Sequence, residues 1–262
     1  MAIAEIKDAV PDADIHFIPL DLSSFESIRA AAAQFLALET ELHVLLNNAG
    51  VMAIPYSLTR DGLEIQFGTC HVGHFLLTQL LLPALERATE HAPPGAVRIV
   101  NLSSIGHLMS LFGIDLDNIH EKLKSGNKWF RYSQAKLANM QHARALAKRY
   151  PKIVAVSAHP GLVDTGLFGP VNSSDWLVGA VIARILAHMG VQPKEGALNQ
   201  LYCAASPQVT LEDSGEYFLP VGRAVGKVGW WWDWATPATR WGYDEAACDA
   251  LWEWSEKAVA PI

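Results

Sequence analysis

The sequence has few cysteines, no cluster of basic residues and no glycine before Gly50. Cys70, Cys203 and Cys248 are widely separated and form neither a metal-ligand spacing nor a disulfide framework, which is typical of a reducing compartment. We therefore predict a cytoplasmic protein without a metal site. The net charge is −7, and nucleic-acid binding is not expected because phosphate contacts need grouped Lys and Arg.

Long hydrophobic runs are also missing. The longest apolar stretch, Trp176 to Val191, contains Arg184 and is shorter than the ~20 residues that span a bilayer. We predict a helix packed on the body of the protein, with a helix lying on a membrane surface as the alternative, and no integral membrane segment. The N-terminus has no apolar segment of a secretory signal.

Segments of strand and helix character alternate along the 262 residues. Apolar segments predict strands at 14–22, 43–46, 97–103 and 153–158. Helical spacing predicts four helices. They lie at 1–10, after a capping box formed by Ser23 and Glu26, at 63–87 with a bend at Pro83, and at 132–150. This order is typical of a doubly wound α/β fold with a parallel sheet. We predict one domain over 1–262, with substrate-side helices and a C-terminal excursion at 166–262. The aromatic cluster at 230–234 is interpreted as packing, with a ligand platform as the alternative.

Three side chains suggest proton-transfer chemistry. Tyr132 and Lys136 are four residues apart on a predicted helix and therefore share a face. A tyrosine hydroxyl is a weak acid, and a neighbouring ammonium favours its phenolate. Ser104 follows an apolar strand, at the edge where open α/β sheets place their ligands. Such a serine can hydrogen-bond a substrate oxygen while the tyrosine transfers the proton.

Four motifs in order extend this pattern: Asn47-Asn48-Ala49-Gly50, Asn101-Leu102-Ser103-Ser104, Tyr132-Ser133-Gln134-Ala135-Lys136 and Pro160-Gly161-Leu162-Val163-Asp164-Thr165. Together they resemble the successive motifs of the short-chain dehydrogenase/reductase family, over residues 1 to about 165. The retinol-dehydrogenase-like branch is the nearest in character, as Gln66 to Thr69, His74 to Thr78 and the long insert before Tyr132 indicate. The resemblance implies a Rossmann-like sheet and a nicotinamide-dependent oxidoreductase.

The resemblance also implies roles. Tyr132 is expected to be the acid/base, Ser104 to orient the substrate and Lys136 to hold the nicotinamide ribose. The expected cofactor-binding residues are Asp21, Asn48, Tyr132, Lys136, Val163 and Thr165. The cofactor is expected to be NADP, with NAD as the alternative. The substrate is expected to be a lipophilic or polycyclic alcohol or carbonyl compound, and the protein a homodimer.

Two departures from the family pattern bear on these expectations. The family's glycine-rich turn, which brings the backbone to the pyrophosphate, does not appear before Gly50. We expect that the first β-α-β unit is missing and that the strand at 14–22 has lost its neighbours. Cys70 occupies the place of the family's fourth catalytic residue, an asparagine, and we expect a slower proton relay because a thiol hydrogen-bonds weakly.

Alternative interpretations remain at two levels. The whole chain is either an active oxidoreductase or a catalytically inactive remnant that acts as a binding or dimer partner. His71 and His74 are one helical turn apart and are interpreted as packing residues rather than metal ligands. His107, three residues after Ser104, is either structural or a substrate contact.

Overall fold

A computed structural model describes residues 2–163, 190–225 and 237–260 of the chain. The helices are α1 (Ala2–Ala9), α2 (Phe25–Leu38), α3 (Ile65–Phe67), α4 (Gly73–His91), α5 (Ile119–Ser125), α6 (Lys128–Arg149), α7 (Pro193–Gly196), α8 (Leu198–Ala205), α9 (Pro237–Tyr243) and α10 (Glu245–Val259). The strands are β1 (Val44–Asn47), β2 (Arg98–Leu102), β3 (Val154–Ala158), β4 (Tyr217–Leu219) and β5 (Arg223–Ala224). A π-helical turn (Gly68–Val72) joins α3 to α4, and a 3₁₀-helix (Ile105–Met109) follows β2.

The strands form one sheet in the order β1-β2-β3-β4-β5. β1 to β4 are parallel and β5 is antiparallel to β4. The predicted parallel α/β sheet is therefore confirmed for the strands near 44–47, 98–102 and 154–158. Strand β4 was not predicted, since it has only three residues and two of them pair with β3.

Helices cover both faces of the sheet, which explains why its central strands are apolar without alternation. Ile99 and Ala155 belong to the core that α4, α6 and α10 complete on one face. Val100 and Val156 point the other way and pack with Cys203 of α8. All ten residues of β2 and β3 are buried, so packing on both faces of the sheet fixes the position of these two strands.

The prediction of a strand at 14–22 is wrong. These residues have no regular secondary structure, and Phe17 in their middle is 73% exposed. In the part of the chain that the structure describes, β1 pairs only with β2 and no strand lies beside it on the outer edge. A strand needs a neighbour to satisfy its ladder groups, and Pro19 has no N–H to donate.

The helical predictions hold with shifted boundaries. The N-cap of α2 is Ser24 rather than Ser23, and its hydroxyl accepts from the backbone of Ser27. The helix predicted at 63–87 runs from 65 to 91, and α4 continues through Pro83. Its irregular point is instead the π-helical turn. Helix α6 begins at residue 128, four residues earlier than predicted, because Asn127 Oδ1 accepts from the N–H groups of Trp129 and Phe130, each at 2.9 Å.

Several expectations fall outside the described residues. Thr165, the aromatic cluster at 230–234 and most of the helix expected at 176–191 lie there. The division into one domain with substrate-side helices at 166–262 therefore stays a prediction. None of the described helices has the length and hydropathy of a membrane span.

Candidate active site

The carboxyl ends of the parallel strands meet at a cavity of about 820 Å³. The segments that follow β1, β2 and β3 form its walls, and α6 crosses beside them. The sequence-predicted residues that line it are Asn48, Ser104, Tyr132, Lys136 and Val163. The structure thus brings together side chains that are more than 100 positions apart in the sequence.

Tyr132 and Lys136 share one face of α6, as the four-residue spacing predicted. Both are almost completely buried, and the Lys136 Nζ atom lies 5.6 Å from the centroid of the tyrosine ring. Lys136 Nζ donates a hydrogen bond to the Leu102 carbonyl oxygen at 2.9 Å. The Asn139 Nδ2 atom, one turn further along the helix, donates to the same oxygen at 2.8 Å. The end of β2 therefore fixes the ammonium beside the phenol ring.

Ser104 lies at the N-cap of the 3₁₀-helix with an extended backbone. Its Oγ atom accepts a hydrogen bond from the Gly106 N–H at 3.1 Å, which leaves the hydroxyl proton available for another acceptor. A β-carbon built on Gly106 would lie 2.9 Å from Cε1 of Tyr132 and 3.4 Å from Ser104 Oγ. Because position 106 is glycine, the serine segment can approach the tyrosine ring.

Cys70 lies in the π-helical turn and is fully buried. Its Sγ atom accepts from the Val51 N–H and donates to the Val51 carbonyl oxygen, each at 3.4 Å. The thiol thus makes one contact as acceptor and one as donor, both of them long. A β-carbon on Gly50 would lie 3.0 Å from this sulfur and 3.7 Å from Lys136 Nζ. The slower proton relay itself stays a prediction.

Asp21 is not among the described residues that line the cavity. Its carboxylate accepts hydrogen bonds from the backbone and hydroxyl of Ser23, at 2.9 and 2.7 Å. The Ser23 hydroxyl and N–H lower the pKa of Asp21. The side chain thus closes a local turn at the exposed start of α2.

Two histidines near the cavity are held neutral. Burial lowers the pKa of His159, which lines the cavity, to about 4. Its Nδ1 atom is buried without a hydrogen-bond partner among the described residues. Burial also lowers the pKa of His107 to about 4. His107 Nδ1 donates to the Ser104 carbonyl oxygen at 2.7 Å. This contact supports the structural interpretation of His107, since it holds the backbone of Ser104.

The other predicted histidine pair belongs to the core. His71 contacts the Ser255 hydroxyl at 2.9 Å through Nε2, and His74 donates from Nδ1 to the Cys70 carbonyl oxygen at 3.0 Å. Aromatic rings of Phe67, Phe75 and His142 surround His71. Within the described ranges, His, Cys, Asp and Glu form no group of three that could hold a metal ion.

Several residues of the site were missed from the sequence. His159, Trp129 and the apolar residues of the walls face the cavity, and His159 directly precedes the predicted motif at 160–165. Asn139 continues the spacing of Tyr132 and Lys136 by three residues, so the helical period could have found it. Gln66 was noted only as part of a motif of the family branch, and its contacts with the backbone of Ala53 and Lys128 were not predicted.

The described residues fit the nicotinamide half of a dinucleotide. Lys136 has three N–H donors, and in the described part of the chain its Nζ atom hydrogen-bonds only the Leu102 carbonyl. Tyr132, Ser104 and the buried Nδ1 of His159 surround the same space. A cluster of polar groups converging on an otherwise apolar cavity is the usual form of a cofactor or substrate site.

Comparison with known proteins gives the class of this protein. The family model described as short chain dehydrogenase matches residues 1–115. The short-chain dehydrogenase/reductase drtF of Aspergillus calidoustus is 36% identical over 260 residues, covering 91% of this chain and 81% of that protein. The chain belongs to the short-chain dehydrogenase/reductase family.

Within the family, the resemblance to retinol dehydrogenases is confirmed. Retinol dehydrogenase 12 of Homo sapiens is 37% identical over 254 residues, covering 96% of this chain and 72% of that protein. An uncharacterised oxidoreductase of Schizosaccharomyces pombe is 40% identical over 228 residues. The match covers 84% of this chain and 65% of that protein, so the chain spans about two thirds of that relative.

Solved structures share the fold. An uncharacterised protein from Mycobacterium paratuberculosis superposes with a TM-score of 0.62 at 30% identity, covering 92% of this chain and 74% of that one. The NADPH-bound carbonyl reductase from chicken fatty liver gives a TM-score of 0.57 at 22% identity, covering 83% and 79%. The predicted Rossmann-like α/β class is therefore confirmed.

Proposed function

We propose that the protein is an NAD(P)-dependent oxidoreductase that interconverts an alcohol with a ketone or aldehyde. The observation that carries the proposal is the placement of Tyr132, Lys136 and Ser104 around one cavity at the carboxyl edge of the sheet. Family membership supports the same reaction type. Nothing in the packing of a parallel sheet requires a buried tyrosine beside a buried ammonium at this edge.

The protein's own side chains supply the proton and the orientation. The bound nicotinamide would supply or accept the hydride. In the reducing direction the substrate carbonyl oxygen accepts a hydrogen bond from Ser104 Oγ and takes the proton of the Tyr132 hydroxyl. In the oxidising direction the Tyr132 phenolate takes the proton of the alcohol. Lys136 Nζ lies 5.6 Å from the centroid of the Tyr132 ring, and both residues line the cavity.

The proposed cofactor site combines Tyr132, Lys136, Asn48 and Val163, all of which line the cavity. NADP is the proposed cofactor and NAD the alternative. The NADPH in the carbonyl reductase of the same fold supports NADP. Asp21, which does not line the cavity, and Thr165, which lies outside the described residues, stay predicted cofactor-binding residues from the family resemblance.

The proposed substrate is lipophilic. Its support is the apolar part of the cavity wall, formed by Leu46, Met52, Ile105, Trp129, Leu162 and Leu201. Apolar walls with a few converging polar groups favour a substrate with a large hydrocarbon body and one oxygen function. Equal turnover of polar and lipophilic carbonyl compounds would remove this part of the proposal.

Two further parts of the proposal concern the protein's setting. A cytoplasmic location is supported by the three cysteines, all free and buried. A homodimer is proposed from the family resemblance, and analytical ultracentrifugation distinguishes it from a monomer.

The first experiment is a titration of the full chain with NADPH and NADH, followed by cofactor fluorescence and thermal unfolding. Saturable binding with a raised Tm is expected, followed by turnover of lipophilic carbonyl compounds. Tyr132→Phe should remove turnover, with a smaller effect on cofactor binding. The alternative is a catalytically inactive binding partner. A folded chain that binds neither dinucleotide would favour that alternative.

A further inference from the structure

Three buried polar side chains beside the cavity belong to no part of the proposed chemistry. Glu64, Gln66 and Arg131 are 4%, 0% and 5% exposed, respectively. None of them is among the described lining residues of the cavity. Burying a charged pair and an amide costs free energy unless the groups are hydrogen-bonded, and hydrophobic residues of similar size would often stabilise a fold equally well. The contacts of these residues therefore indicate what they do.

Gln66 connects the two walls of the cavity that face each other across Tyr132. Its Oε1 atom accepts a hydrogen bond from the Ala53 N–H at 2.7 Å. Its Nε2 atom donates to the Lys128 carbonyl oxygen, in the first turn of α6, at 3.0 Å. One carboxamide thus joins the loop after β1 to the start of the helix that carries Tyr132.

Arg131 makes a second connection between the same two segments. Its guanidinium donates through Nη2 to the Ile54 carbonyl oxygen at 3.2 Å and through Nη1 to the Gly126 carbonyl oxygen. Its Nε atom lies 3.2 Å from Glu64 Oε1. The other oxygen of Glu64 accepts from the N–H groups of Gln66 and Phe67, at 3.0 and 2.8 Å. The carboxylate therefore orients both the arginine and the glutamine.

The loop that these residues hold is strained and touches the tyrosine. Ala53 has a φ of 50°, in the left-handed region that a residue with a β-carbon rarely adopts. Such a conformation persists only where surrounding contacts impose it. Ala53 and Met52 pack directly against Tyr132, together with Trp129. The loop conformation that Gln66 imposes is thus part of the wall against which the tyrosine ring rests.

We propose that Gln66 is a positioning residue for the reaction, acting through Ala53 and Met52 to hold Tyr132 in its productive orientation, with Glu64 and Arg131 orienting it. This inference rests on the proposed function, since it needs Tyr132 to be the acid/base. The polar groups are retained in the core because only directed hydrogen bonds can hold the Ala53 amide in its strained place. An apolar residue of the same volume would fill the space and leave the loop free to relax.

The test substitutes Gln66→Met in the full chain, with Gln141→Met as the matched control. Gln141 is equally buried and also donates to a backbone carbonyl, that of Trp241, but it lies on α6 away from the loop. We expect Gln66→Met to lower kcat at least tenfold, because a misplacement of about 1 Å can cost ~10²-fold. Cofactor Kd should change less than twofold, and Gln141→Met should keep kcat within twofold at a similar loss in Tm.

A second readout does not depend on turnover. Hydrogen exchange of the amides at 51–56 should become at least tenfold faster in Gln66→Met and stay unchanged in Gln141→Met, because only the first substitution releases the Ala53 N–H. Arg131→Lys, which keeps the charge but loses the forked contacts, should give a smaller loss of kcat and intermediate exchange.

The outcomes separate this inference from the function on which it rests. The inference alone would be overturned if the wild type were active, Tyr132→Phe were inactive and Gln66→Met kept kcat within twofold of the wild type. Equal losses of kcat in Gln66→Met and Gln141→Met would also overturn it, since a general loss of packing would explain both. A wild-type chain without turnover on any carbonyl compound or alcohol would overturn the proposed function, and with it the positioning role of Gln66.

Discussion

Lys136 Nζ lies 5.6 Å from the ring centroid of Tyr132, and the Leu102 carbonyl holds it there by a hydrogen bond of 2.9 Å. The lysine therefore does not depend on the tyrosine for its position. Helix α6 sets the spacing of the two side chains, and the end of β2 sets the orientation of the ammonium. A site assembled in this way presents a phenol and a fixed positive charge before any ligand enters.

Lys136→Met should lower both turnover and cofactor affinity, whereas Tyr132→Phe should lower turnover and change cofactor affinity less. The lysine is proposed to hold the nicotinamide ribose, and its ammonium lies beside the Tyr132 ring. We expect a fall in kcat of ~10²-fold or more, within the range of lost proton-transfer assistance, and a clear rise in the cofactor Kd. Steady-state kinetics and fluorescence titration measure the two effects.

The fold should survive this substitution. The Leu102 carbonyl keeps its second donor, Asn139 Nδ2 at 2.8 Å, so no buried acceptor loses its only partner. Circular dichroism and Tm provide the control. If Lys136→Met turned over at the wild-type rate, the proposed role of the ammonium would be wrong.

Gly106→Ala should damage the site through a single methyl group. The added carbon would lie 2.9 Å from Cε1 of Tyr132, closer than non-bonded carbons approach. The ring or the 3₁₀-helix must move, and overpacking of this kind costs ~1–3 kcal/mol. We expect kcat to fall at least tenfold, by ~10²-fold for a displacement of about 1 Å.

Met109→Ala is the control for Gly106→Ala. Met109 belongs to the same 3₁₀-helix and is 46% exposed, so its truncation should leave kcat and Tm close to the wild type. Unchanged kinetics in Gly106→Ala would show that the ring and the serine segment do not need their close approach.

Cys70→Asn should raise turnover ~2–10-fold if the thiol slows the proton relay, a small part of the ~10²–10⁴-fold that acid–base catalysis contributes. The thiol hydrogen bonds to Val51 are 3.4 Å long, and an amide can make both more strongly. Cys70→Ala removes both contacts and should lower Tm and turnover. Equal turnover in Cys70→Asn and the wild type would contradict the idea of a slowed relay.

The parallel core of the fold and the centre of the site were predictable because their signals are local. Ser104 follows an apolar strand, and Tyr132 and Lys136 have helical spacing, so secondary structure alone brings them to one edge. The segment 14–22 has the same apolar character but lacks a neighbour among the described residues, and propensity cannot supply a pairing partner. Strand β4 shows the converse, since three residues become a strand because β3 lies beside them.

The second layer of the site was not predictable from the sequence. Gln66 accepts a hydrogen bond from the backbone N–H of Ala53, and any residue type except proline offers the same donor at position 53. Cys70 contacts Val51 in the same way. Contacts between a side chain and a distant backbone leave no pattern in the sequence, so only the folded chain reveals them.

Arg98→Lys should lower stability without a specific effect on catalysis. The Arg98 guanidinium is 6% exposed and donates to four backbone carbonyls: Gly95, Cys203, Ser206 and Val209. A lysine cannot reproduce this fork, and each buried carbonyl left without a donor costs ~1–3 kcal/mol. We expect a loss of about 3 kcal/mol or more in the free energy of unfolding, measured by urea denaturation.

The surface variant Lys148→Ala is the comparison for Arg98→Lys. Lys148 pairs with Asp249 at 2.8 Å, but its side chain is 55% exposed, and solvent weakens such a pair. Its loss should change the urea midpoint very little. An equally small effect of Arg98→Lys would show that its carbonyl partners find other donors.

Acid should destabilise the protein through its buried histidines. Burial lowers the pKa of His71 to about 3 and that of His74 to about 4, from an ordinary value of 6.5. Below pH 6.5 the unfolded chain therefore binds protons that the folded chain does not, so the free energy of unfolding falls as the pH falls. The loss continues until the folded pKa is reached. Each such histidine should cost about 2 kcal/mol between pH 7.5 and pH 5.

His71→Gln isolates one of these contributions. The glutamine can still reach the Ser255 hydroxyl, which His71 contacts at 2.9 Å, but it binds no proton. Urea denaturation at pH 7.5 and pH 5 should show a loss of stability smaller than that of the wild type by about 2 kcal/mol. His91→Gln, at a histidine whose side chain is 74% exposed, should leave the wild-type pH dependence intact. If both variants lost as much stability as the wild type, His71 would be protonated in the folded core, and its burial beside Phe67 and Phe75 would not hold it neutral.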